Sequence, residues 1–218
     1  MRPELTPDWR RPPEPVLGAP VAIRFLLARS TKAAVKIQHV AAYPSGFVFQ
    51  LDAVYLGGWG RDPMFALGGW RRGQGEIEHR LSREHLQLSV QFADGSYADN
   101  LGEESYIPLP QAPSTPILER FEGEAHERSV HASFWVCPLP SPGDLVFQCE
   151  WPRFGIPLTR HRIDAGPILD AATRATDEWS SASLLVRTLR RVRRQDRWGG
   201  QRDLNPRPPG PQPGTLTS

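Results

Sequence analysis

Two stretches of the chain gather side chains that could do chemistry. Glu122, Glu124, His126, Glu127 and His131 mix carboxylates with imidazoles, the donor types that hold a divalent metal. The two histidines, however, are five residues apart, which misses the i, i+4 spacing that puts two ligands on one helical face. In a strand, alternate residues point apart. The stretch is expected as a solvated polar loop, and no metal and no cofactor is assigned. The second stretch runs from Gly57 to Arg80, GGWGRDPMFALGGWRRGQGEIEHR, with seven glycines, two tryptophans and four arginines. It is too long for a passive link in a compact domain. Trp59, Arg61, Trp70, Arg71 and Arg72 are its candidate ligand-binding residues, because indole and guanidinium faces stack on a sugar, a base or a proline-rich peptide. The plainer reading is an insertion in which Trp59, Met64, Phe65 and Trp70 cover a sheet edge.

Other catalytic patterns are missing. GGWRRGQG lacks the flanking strand and helix of a dinucleotide fingerprint, and no Gly-Lys-Ser/Thr follows it. There is no Gly-x-Ser-x-Gly elbow, and Ser45 sits in an ordinary turn. Nothing near Cys137 argues for an activated thiol. With only two cysteines, a disulfide-dense scaffold is excluded.

Charge is unevenly placed. The chain has 218 residues and a net charge of +2. Residues 182–218 hold eight Arg and two Asp, net +6, which leaves −4 for residues 1–181. Within that tail, Leu184–Arg194 reads as a short basic helix with Arg187, Arg190, Arg191 and Arg194 opposite Leu185, Leu189 and Val192. Such a face can meet nucleic acid, an anionic membrane or a protein partner. Nucleic-acid or membrane contact is expected only through this 187–197 segment, since the body is mildly acidic.

The elements that must position any site are mostly strands. Val21–Leu27, Phe47–Tyr55, Leu86–Phe92, Val130–Val136 and Leu145–Trp151 alternate apolar and polar residues. Turn signals lie between them at Pro44-Ser45-Gly46, Asp94-Gly95, Ser141-Pro142-Gly143 and Phe154-Gly155. Seven to nine strands with short connections predict an antiparallel β-sandwich, Ig-like or jelly-roll-like, or else a partly open barrel. A hairpin symmetric about Gly143 would set Cys137 opposite Cys149 and Trp135 opposite Trp151; a one-residue shift would send Cys137 to the other face. One C-terminal helix is expected, capped by Asp164, with Pro167 in its first turn and Ile168, Leu169, Ala172, Ala175 and Trp179 on one face. Prolines crowd the termini, with six in residues 1–20 and five in 206–213. The organisation expected is a disordered arm at 1–15, a β domain at 16–181 and a basic tail at 182–218. No run approaches a membrane span. MRPELTPDWRRPPEP has no hydrophobic signal segment, so a cytoplasmic location is expected with both thiols reduced.

Two resemblances bear on origin. Trp135, Pro138, Leu139 and Pro140, followed by Phe147, Cys149, Glu150, Trp151 and Pro152, lie in a stretch that resembles the C-terminal half of a group of uncharacterised actinobacterial proteins. AYPSGFVFQLDAVYL and LSVQFADG resemble their earlier strands. The likeness covers about residues 16–181; it implies a β-rich fold and carries no activity. The tail WGGQRDLNPRPPGPQPG resembles peptides read antisense through a transfer-RNA gene, which implies run-on translation, with a functional basic tail as the rival. With no catalytic constellation, the expected function is that of a non-enzymatic binding or assembly domain with a protein partner. The alternative is an enzyme with a pocket near the 57–80 loop.

Overall fold

Alternation of apolar and polar residues produces strands with one face to bury, and here two such faces meet. The computed structural model describes residues 9–57, 85–100 and 114–177. The chain divides into two units, Met1–Glu178 and Trp179–Ser218, the second wholly outside the described residues. In chain order the strands are β1 (Val16–Leu17), β2 (Ala19–Val21), β3 (Phe25–Arg29), β4 (Ala33–Tyr43), β5 (Gly46–Tyr55) and β6 (Gln87–Gln91). They continue as β7 (Tyr97–Asp99), β8 (Ile117–His126), β9 (Ser129–Cys137), β10 (Asp144–Trp151) and β11 (Ile156–Asp164). Helix α1 (Gly166–Ala172) and β12 (Thr176–Asp177) follow.

A six-stranded sheet runs β2–β4–β5–β9–β8, with β3 also on β4, and a four-stranded sheet runs β11–β10–β6–β7. Every pairing is antiparallel. The fold is therefore mainly β and sandwich-like, as the alternation predicts, and not a barrel. In the larger sheet Phe47, Phe49, Leu51 and Ala53 stand opposite Val136, Phe134, Ala132 and Val130, all buried. From the smaller sheet, Leu145, Phe147, Cys149 and Trp151 face them alongside Leu88 and Val90. Phe49 meets Phe147 edge-on at 5.2 Å, and Tyr55 meets Trp151 at 5.7 Å. Burying each such ring contributes about 1.5–3 kcal/mol.

Three expectations are corrected. First, no hairpin joins β9 to β10: the chain crosses from one sheet to the other between them, so neither register proposed for Cys137 and Cys149 exists. Trp135 lies on the outer face of the large sheet and Trp151 in the core. Second, the helix stops at Ala172 rather than running to Trp179. The N-cap residue is Ala165 rather than the expected Asp164, whose Oδ1 accepts the Gly166 N–H at 2.9 Å from one position further out; Ile168, Ala171 and Ala172 are buried. Beyond them Thr176–Asp177 pair with Val16–Leu17, which gives that backbone strand partners where β-branched Thr173 and Thr176 favour a helix poorly. Third, the Glu122–His131 stretch is a hairpin of β8 and β9, not a loop; His126 pairs with Ser129 across a two-residue turn.

Within the Pro-rich 1–15 segment, residues 9–15 are described, and they are tied to the sheet. The indole Nε1–H of Trp135 donates to the Trp9 carbonyl at 2.9 Å, and the Arg10 guanidinium stands 5.1 Å over the Trp9 ring. Burial pushes the Glu119 carboxyl up, while Arg10 and Arg11 pull it the other way. Among the described residues no helix is long and apolar enough to cross a membrane.

Both cysteines are free. Burial, with a smaller push from Glu150, raises the Cys149 thiol to about 12, and burial also raises half-buried Cys137. A thiolate is the reactive form, so a disulfide-exchange reagent at neutral pH should label Cys137 slowly and Cys149 only after unfolding. Rapid labelling of both thiols in native buffer would contradict this packing.

Candidate functional site

The outer face of the large sheet carries one buried charge. Asp52 sits mid-strand on β5, with Lys36 of β4 on one side and His131 of β9 on the other. Its side chain is only 3 % exposed. Such a carboxylate persists only if its lone pairs are used, and four groups use them. Oδ1 accepts from Gln50 Nε2 at 2.9 Å and faces His131 Nδ1 at 2.8 Å. Oδ2 accepts from Gln38 Nε2 and lies 3.4 Å from Lys36 Nζ. A carboxylate only accepts, so the proton of this contact lies on Nδ1 of His131, and a neutral ring held this way has Nε2 as its acceptor, the arrangement of an oriented general base.

Among the described residues no hydroxyl or thiol is hydrogen-bonded to His131. Glu124 stands opposite it in register, and the His126 ring lies 6.1 Å from its ring. His126 Nε2 is 3.4 Å from Glu124 Oε1. Yet no group of three described residues is placed to hold a metal ion. The Asp52 network reads as a lock across β4, β5 and β9.

The outer face of the small sheet offers a different feature, an open groove of about 320 Å³. Its floor is built by register. Gln148 of β10 stands beside Ser89 of β6, which stands beside Asp99 of β7. One step along, Gln91 lies between Val146 and Tyr97; one step back, Glu150 pairs with Gln87. Arg160 Nε donates to Gln148 Oε1 at 3.3 Å, and Gln148 Nε2 donates onward to Gln91 Oε1 at 3.4 Å. Two exposed apolar bodies mark the ends, Tyr97 on β7 and Leu158 on β11, 61 % and 51 % exposed. Asn100 secures the strand beneath, its Oδ1 accepting from Leu88 N at 2.8 Å and its Nδ2 donating to Leu86 O at 2.9 Å.

Of the residues singled out from sequence, Glu124 and His131 lie on the outer face of the large sheet. Trp59, Arg61, Trp70, Arg71 and Arg72 lie outside the described residues, and so do Arg187, Arg190, Arg191 and Arg194. The groove residues read in sequence as an ordinary outward face. Their one signal is composition: Gln87, Ser89, Gln91 and Gln148 are neutral hydrogen-bonding groups where an exposed strand usually carries charge. No family model, curated protein or solved structure matches the chain.

Proposed function

We propose that the chain is a non-enzymatic binding domain acting in the cytoplasm, and that its ligand lies across the outer face of the four-stranded sheet. The groove over β6 carries this reading: an open space of about 320 Å³ whose polar lining, Ser89, Gln91, Gln148 and Glu150 among it, is set side by side on paired strands. We also propose that the domain is shared with the actinobacterial group its Trp135–Pro152 stretch resembles. The His131 imidazole is assigned to holding β4, β5 and β9 together through Asp52, because that is the group it is bonded to.

The test replaces Ser89, at the centre of the floor, by Trp. Wild type and Ser89→Trp, purified gently from the same cells, are denatured and the released small molecules compared by mass spectrometry. At least one compound should accompany wild type and be absent from the variant, with thermal unfolding little changed because the site is on the surface. Identical profiles would overturn the assignment of this face.

A further inference from the structure

The outer face of the other, larger sheet carries a row of side chains set by register. It runs from Pro20 of β2 through Ala41 of β4 and Val48 of β5 to Trp135 of β9 and Glu119 of β8. The row is apolar until it ends on an acid. Two rings lie deep beside it because two backbone positions carry no side chain. A Cβ at Gly46 would stand 2.7 Å from the Trp135 ring, and one at Gly18 would stand 2.5 Å from the Tyr43 ring. The two rings meet edge-on at 5.6 Å. An aromatic floor, an indole N–H and a carboxylate at the rim are the parts that hold proline-rich segments. The rings take the flat pyrrolidines, the indole donates to a main-chain carbonyl, and the acid takes a flanking arginine.

This chain supplies such a segment itself, Trp9-Arg10-Arg11-Pro12-Pro13-Glu14-Pro15. The Trp135 indole donates to the Trp9 carbonyl. Burial raises the Glu119 carboxyl, and Arg10 and Arg11 are the cations that act against that rise. Pro12 and Pro13 are partly buried, whereas Arg11 is exposed. None of these contacts needs covalent continuity with the sheet. Residues 9–15 form no strand, and the first ladder begins at Val16, after a turn closed by the Val16 N–H on the Pro13 carbonyl at 3.0 Å. The indole bonds a main-chain oxygen, which every peptide offers. We infer that this face is a recognition site for an arginine- and proline-rich segment of a partner protein, with residues 9–15 its occupant in cis. The arm is then a built-in competitor. A second copy of this chain is the weaker occupant, since its arm must displace an identical one already tethered, and a short tether holds that one at millimolar effective concentration. The site lies on the opposite sheet from the groove, so it stands or falls separately from the reading of Ser89 and its neighbours.

The probe is a fluorescein-labelled peptide, Trp-Arg-Arg-Pro-Pro-Glu-Pro, titrated by anisotropy against two full-length proteins. One is wild type and the other is Arg10→Glu/Arg11→Glu, whose own arm carries the wrong charge for Glu119. The double variant should bind the peptide in the micromolar to millimolar range, about tenfold tighter than wild type, because its tethered competitor is gone. A peptide with both arginines replaced by glutamate should not bind. Glu119→Ala and Trp135→Phe, each added to the double variant, should weaken binding about fivefold, the worth of one polar contact. Thermal unfolding of the double variant should move by a few degrees at most. No binding, equal affinity for wild type and double variant, or binding that neither Glu119→Ala nor Trp135→Phe alters overturns the inference. A double variant that no longer folds also overturns it, by making the arm a structural part of the sheet. A wild-type dimer that free peptide dissociates would assign the face to exchange of arms between copies and remove the partner.

Discussion

Phe49→Ala should lower the free energy of unfolding by about 3–5 kcal/mol, the range for truncating a fully buried aromatic ring. Phe49 is where the two sheets engage. Its ring is fully buried and stacks on Phe134 within its own sheet at 5.5 Å. It then meets Phe147 of the opposite sheet edge-on at 5.2 Å, and Phe147 meets Phe25 at 5.4 Å. Removing it opens a cavity whose walls are strand backbones tied by ladder bonds, so collapse is restricted and the upper part of the range applies. Urea denaturation should show a lower midpoint with an unchanged slope. If the alanine variant does not fold, Phe49→Leu should fold and unfold at a urea midpoint below that of wild type. Val54→Ala, on the same strand but 47 % exposed, should stay within about 0.5 kcal/mol of wild type. Equal losses at positions 49 and 54 would mean that the sheets do not pack through this ring.

The strand containing Phe49 was legible because its alternation is unbroken from Phe47 to Tyr55. β4 was not, and the reason is local. Val35 and Ile37 point inward, then His39 adopts a positive φ of 51° and the inward set resumes at Val40 and Ala42. One inserted residue reverses the phase of everything after it, and a search for period two finds no strand. The run from Val21 to Leu27 failed in the opposite way: it reads as one strand but folds as β2 and β3, which pair with different halves of β4. The crossing between β9 and β10 was also hidden. A Pro-Ser-Pro-Gly turn between two alternating runs looks the same whether the second strand pairs with the first or enters the opposite sheet. Gly46 shows a contact no sequence reveals, for a Cβ there would collide with the Val136 carbonyl and stand 2.7 Å from the Trp135 ring. The Trp135 ring can come this close to the β5 backbone because that position has no side chain.

The sites were less legible than the fold, for a related reason. Asp52 reads as one polar residue of an outward face, between Leu51 and Ala53. Its burial is made by Lys36, Gln38, Gln50 and His131, which come from three strands and are up to 95 positions apart in the sequence. The groove likewise combines β6, β7, β10 and β11, whose order in the sheet is not their order in the chain. Composition marks the neutral polar residues; only the register aligns them.

Asp52→Ala should destabilise the domain by about 2–3 kcal/mol, and it should also change the chemistry of a residue it does not replace. Deleting one partner of a buried charge network leaves the others unpaired, which generally costs more than the network contributes as a whole. Here the cost is moderated, because the Lys36 and His131 side chains are 50 % and 37 % exposed and can turn to water. Gln38 and Gln50 lose a charged acceptor and have less room to compensate. Asp52→Asn keeps the shape and one carbonyl oxygen, so it should lose less than the alanine variant. The more specific readout is His131. While the carboxylate accepts from Nδ1, the neutral ring is held as the Nδ1–H tautomer, and nitrogen chemical shifts should report it. In Asp52→Ala that hold is gone, and the ring should shift toward the Nε2–H form that free imidazole side chains prefer. A lock across three strands predicts both effects together. Loss of stability with an unchanged His131 tautomer would mean that Asp52 holds the sheet through Gln38, Gln50 and Lys36 alone.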